Sequence, residues 1–196
     1  EHVARHPPLR PERRNERDQH DEAGIDHEFC HLRNAPDILD AVGIGKAKVP
    51  VEAVPDIVPE PGLVIPYVYL WRREHESGEE TGRKARPALV VIAVTITATG
   101  KQRVAVCPIT SQKPDATRSA IEVPSRVKTH LGLDAARSWV ICDEYNEFDW
   151  PGVDLDTTPA GASEYGFAPD PLVERVRAEM REARGRGSLK RVPRTE

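Results

Sequence analysis

Two short stretches of this 196-residue chain set a polar side chain at the boundary of an apolar run. Arg86 opens Arg86-Pro87-Ala88-Leu89-Val90-Val91, and Thr110 closes a second run that leads into Pro108-Ile109-Thr110-Ser111-Gln112. An arginine guanidinium is a permanently charged planar fork that suits a phosphodiester. Thr110 and Ser111 offer hydroxyls and nearby backbone N–H groups for the non-bridging oxygens. RNA contains its own nucleophile, the 2′-hydroxyl, so a protein need only hold it in line and stabilise the charge that develops. That chemistry requires no metal and implies no cofactor. Read singly, Arg86 is a solvated charge at a strand start and Thr110 an ordinary β-former. Read as an ordered pair with their flanks, they point to a phosphate site.

Other polar groups are less committed. A general base has three candidates in the loop before Arg86: Glu80, ranked first, then Glu79 and His75. Histidine qualifies by its ordinary pKa near neutrality. Tyr145, in Asp143-Glu144-Tyr145-Asn146, either stacks on an unpaired base or belongs to a turn that caps the preceding strand. His27-x-x-Cys30-His31 has no standard ligand spacing and no second ligand pair, so it is read as part of a biased tail. Gly43-Ile44-Gly45-Lys46 lacks the spacing of a phosphate loop.

Several elements must position these residues. Residues 62–71 read as a strand that Pro66 pushes towards a sheet edge. Residues 72–85 read as a long polar loop, and residues 86–96 as a buried, β-branched central strand. Gly100 serves the turn into a partner strand at 102–110. A short strand at 120–123, a short helix at 124–131 ending at Gly132, and a strand at 138–143 follow. A final helix opens at Asp170 as N-cap with Pro171 behind it, and carries Leu172, Val176, Met180 and Ala183 on one stripe. The sum is a small SH3-like β-barrel, mainly β, with short helices and one closing C-terminal helix.

Composition sets the outer limits. Apolar residues make up 38% and charged residues 31%, with 18 prolines, which excludes a membrane-spanning helix and disfavours a chain folded end to end. Residues 1–58 read as a disordered or loosely ordered segment, 59–184 as the folded domain, and 185–196 as a basic flexible tail. Residues 175–196 carry eight basic against three acidic side chains, a bias that permits polyanion binding. Cys30, Cys107 and Cys142 are odd in number and widely spaced, so reduced thiols in the cytoplasm are expected.

From its opening Gly62 and strand through the polar loop, RPALVV and PITSQ, the order of motifs resembles the PemK/MazF toxins of type II toxin–antitoxin systems. The resemblance spans about residues 59–184. It implies a PemK/MazF/CcdB-type barrel, a homodimer, and metal-independent endoribonuclease activity on single-stranded RNA. A cognate acidic antitoxin is implied as partner, with no membrane. It also implies that Arg86 acts as acid or electrostatic catalyst and Thr110 as a phosphate-positioning group, while the base stays open between the acidic loop residues Glu80 and Glu79. Arg83, Lys84, Ser111, Gln112 and Tyr145 are the expected RNA-binding set. The alternative is a catalytically silent barrel that binds nucleic acid or a protein partner.

Overall fold

Eight strands and three helices follow from the sequence in the computed structural model, which describes residues 57–96 and 98–194. The histidine-rich segment, Cys30 and the 43–46 glycines lie outside those residues. β1 (Leu63–Val68), β2 (Ala85–Thr95) and β3 (Gln102–Thr110) form an antiparallel meander. Gly100, at φ 69°, makes the β2–β3 turn. β2 is buried on both faces only over Ala88–Val91; beyond the bulge Ile92 and Val94 are exposed, so the expected buried strand over 86–96 holds for its first half alone. Leu89 and Val91 face one cluster, whereas Ala88 and Val90 face another.

β4 (Ala120–Glu122), α2 (Ser125–His130) and β5 (Trp139–Ile141) come next, then β6 (Glu144–Trp150). β5 and β6 share the same edge of β3. β6 pairs with Gln102–Val106 and β5 with Ile109–Thr110, and the register slips between them. The edge therefore forks at Cys142–Asp143.

The sheet curls. β1 and β6 lie three strand steps apart, about 14 Å in a flat sheet. Yet the Tyr67 and Phe148 rings stack at 5.0 Å with 11° between their planes. Tyr69, Val104, Val106 and Leu155 fill the space enclosed by the curl. The opposite face is covered by α3 (Asp170–Gly185) through Leu172, Val173, Val176, Met180 and Ala183, all buried. The architecture is the mainly β, barrel-type sheet with a C-terminal helix that the sequence leads one to expect.

Five further expectations are corrected. Residues 72–85 are not all loop, because α1 (Arg72–Glu76) forms there, with Glu74 accepting the Trp71 N–H at 3.2 Å. β1 is not a bare edge. β7 (Gly166–Phe167) pairs its start, and the Pro66 carbonyl accepts the Asp156 N–H at 3.0 Å, which puts the proline's missing donor on that same side. Residues 144–150 are a central strand rather than a turn. Asp170 is the first helical residue, with Pro169 at the N-cap and no side-chain cap. The basic end is not wholly a flexible tail, since β8 (Lys190–Pro193) adds in parallel to β6. Beyond it, Arg194 donates from Nε and Nη2 to buried Asp154 at 3.0 and 2.7 Å.

A cationic cleft around Thr110

Register decides what faces what. Tyr67 pairs with Arg86, and Ala88 pairs with Pro108, where the β2–β3 ladder stops. Continued by two residues, that register sets Arg86 opposite Thr110. Strand alternation puts both on the face shared by Tyr67, Ala88 and Val106, the face enclosed by the curl.

Arg86 is half-buried at the start of β2. Its guanidinium carbon lies 4.8 Å from the Trp71 ring centroid, a stacked cation–π arrangement. Its Nε is buried without a hydrogen-bond partner, and no carboxylate pairs with it among the described residues. Burial holds this guanidinium below the ordinary arginine value, opposed by the nearby Glu74 carboxylate. Arg73 adds a second cation 6.0 Å from the same indole.

β6 fixes the position of Trp71. Asn146, fully buried, accepts the Leu70 N–H at 3.1 Å and donates Nδ2 to the Leu70 carbonyl at 2.8 Å. Glu144 accepts the Arg72 N–H at 3.3 Å and the Tyr69 hydroxyl at 3.4 Å. The returning loop passes so close that a Cβ at Gly82 would overlap the Tyr69 carbonyl. Here glycine is needed for space.

Trp71, Thr110 and Gln112 line a cleft of about 430 Å³ together with Arg118, Asp143 and Glu144. Arg118 grips Asp143 at 2.7 Å and Glu144 at 3.0 Å. Burial raises the Glu144 carboxyl above the usual range, with Arg118 pulling the other way. Thr110 Oγ1 accepts the Gln112 N–H at 3.1 Å, which shapes the turn that follows.

The expected residues separate into two groups. Thr110 and Gln112 line the cleft, and Arg86 stands behind its Trp71 wall. Ser111 is exposed beside the cleft and Lys84 is exposed on the loop. Arg83 leans on Glu74 at 3.4 Å. Glu79, Glu80 and His75 are exposed and outside the cleft; the acidic residue the segment carries inward is Glu74. Tyr145 lies within β6, not in a capping turn, and packs against the cluster under α3. Sequence reasoning missed Arg118, Asp143 and Glu144 as cleft residues. No linear motif joins them, because three separate elements bring them together.

Among the described residues no helix is long and apolar enough to cross a membrane. No curated protein matches the chain. Residues 67–164, half of the sequence and most of the curled sheet with its cleft, match the family model described as the PemK-like, MazF-like toxin of type II toxin–antitoxin system. By that match the chain belongs to the PemK-like, MazF-like toxins.

Proposed function

We propose that this toxin is an endoribonuclease that cleaves single-stranded RNA without a metal, using the substrate's own 2′-hydroxyl. The observation that supports this reading is a half-buried guanidinium without a carboxylate partner, Arg86, stacked on Trp71, the residue that shares the cleft wall with Thr110. In the reaction the 2′-oxygen attacks phosphorus and the bond to the 5′-oxygen breaks. The products are a 2′,3′-cyclic phosphate and a free 5′-hydroxyl. Arg86 stabilises charge on the phosphoryl oxygens, and its Trp71 platform holds the fork in place before the substrate arrives. Thr110, with Ser111 and Gln112, positions the phosphate. A base role for Glu80 requires its loop to carry it inward on substrate binding. The type II class implies an antitoxin protein, and we take it to be acidic and the toxin to be a cytoplasmic homodimer.

Cleavage of a mixed single-stranded RNA in excess EDTA tests the reading. Arg86→Lys keeps charge and loses the bidentate fork, so a loss of about 10²-fold or more is expected. Thr110→Val keeps the shape and removes the hydroxyl, and cleavage falls while folding survives. DNA of the same sequence stays intact because it lacks the nucleophile. Wild-type rates in both variants, equal cleavage of DNA, or abolition by EDTA would each sink the mechanism.

A further inference from the structure

The cleft's charges divide into paired and unpaired. Every carboxylate on its wall is engaged: Glu76 with Arg72 at 2.7 Å, Asp115 with the Thr117 N–H at 2.9 Å, and Asp143 and Glu144 with Arg118. Three cations on the same wall have no carboxylate partner among the described residues: Arg73, Lys113 and Lys190. They come from three elements that surround Thr110, namely α1, the loop after β3, and β8. Arg73 and Arg86 both lie over the Trp71 ring, and Arg73 adds a smaller contribution to the burial that lowers the Arg86 pKa. Lys190 rests only on the Gly187 carbonyl, 3.2 Å away, while its own N–H bonds the Asp143 carbonyl at 2.8 Å. β8 thus anchors this lysine to the strand that carries Glu144. Lys190 also lies outside the residues that match the toxin family.

We propose that Arg73, Lys113 and Lys190 form a three-sided clamp for the phosphate backbone of single-stranded nucleic acid, with the strand laid across Thr110. The inference rests on the RNA reading above and adds the residues that bind rather than react. Three elements converging on one cleft suit a flexible polyanion with several phosphates better than a single small anion.

Counterion release makes the clamp measurable. For single strands each neutralised phosphate contributes about −0.7 to the slope of log affinity against log salt. Lys190→Gln should therefore flatten the slope by about 0.7 and weaken binding about five-fold at 0.1 M salt, with the curves converging near 1 M. Lys113→Gln, in a loop, should do the same and guards against a folding effect at 190. The triple Gln variant should lose about 2 from the slope. Lys101→Gln, exposed on the β2–β3 turn, should change neither slope nor affinity.

The assay is fluorescence anisotropy of the full chain with a labelled single-stranded DNA dodecamer, which cannot be cleaved by 2′-hydroxyl attack. RNA cleavage is measured on the same preparations. Unchanged slopes in the Lys190 and Lys113 variants overturn the clamp even where wild-type cleavage is intact. Lost slopes in a protein that cleaves nothing keep the clamp and sink the nuclease reading. An absence of salt-dependent binding by the wild type overturns the clamp outright. If a polyglutamate peptide loses affinity in these variants while DNA does not, the cleft docks an acidic protein segment and the nucleic-acid assignment fails.

Discussion

Asn146→Ala removes one side chain and orphans two buried backbone groups, the N–H and C=O of Leu70. An unsatisfied buried donor or acceptor costs about 1–3 kcal/mol, so the pair accounts for about 2–6 kcal/mol. Water entering the vacated space recovers part of that, and we expect a net loss of about 3 kcal/mol, a large share of the roughly 5–15 kcal/mol of a typical domain. With a urea slope of about 1.5 kcal/mol per molar, the midpoint falls by about 2 M. Asn146→Asp separates the two bonds. It keeps an acceptor for the Leu70 N–H but aims lone pairs at the Leu70 carbonyl. Its carboxyl pKa is therefore raised in the folded state, the folded state binds more protons, and the variant gains stability as pH falls. Because Leu70 precedes Trp71, both variants should also slow RNA cleavage. Equilibrium urea unfolding followed by circular dichroism reads the stability, at neutral and acidic pH. A loss under about 0.5 kcal/mol in Asn146→Ala, or an aspartate variant with the wild-type pH profile, would refute the clamping role.

Arg194→Ala leaves Asp154 buried without its counter-ion; the two side chains are 8% and 3% exposed. A loss of about 3–5 kcal/mol is expected by thermal or urea unfolding, and a loss below about 1 would show that β8 is not held there. Burial pushes the Cys142 thiol from 9.0 up to about 12. A raised folded-state pKa means that its stabilisation is fully present below pH 9.0 and is lost as pH rises towards 12. The slope is about 1.4 kcal/mol per pH unit. Cys142→Ala should have the flatter alkaline limb, and parallel limbs would contradict this account. Gly82→Ala should destabilise by about 1–3 kcal/mol, since the clash is with backbone that cannot rotate away. Unchanged unfolding would mean the loop has room that the structure does not show.

What the sequence makes legible follows from how each signal is carried. β2 declares itself through its β-branched apolar run, of which Ala88–Val91 are buried on both faces while Ile92 and Val94 are exposed. α3 is legible through the stripe from Leu172 to Ala183, whereas the β2–β3 register is not, because a bulge between Val90 and Ile92 shifts it by one residue. β6 is illegible for a physical reason. Its inward positions are Glu144, Asn146 and Phe148, so the apolar alternation of a half-buried strand is missing. Those polar groups are tolerated because Arg118, Tyr69, Arg72 and the Leu70 backbone satisfy them from distant parts of the chain. β8 buries a single residue, Val192, and cannot announce itself. Of the cleft's unpaired cations only Lys190 rides on β8, and it is hidden with that strand.

The fork along β3 has a mechanical consequence. Since β5 and β6 hold separate stretches of one strand, the wall that carries Thr110 is fastened independently of the wall that carries Glu144 and Asn146. Ile109 and Thr110 pair with Val140 and Trp139 of β5, and the five pairs from Gln102 to Val106 hold β6. Ile109, Val140 and Cys142 are buried in the cluster under α3, so the Thr110 wall is held by core packing as well as by its short ladder. A substitution that loosens one wall of the cleft therefore leaves the ladder of the other intact.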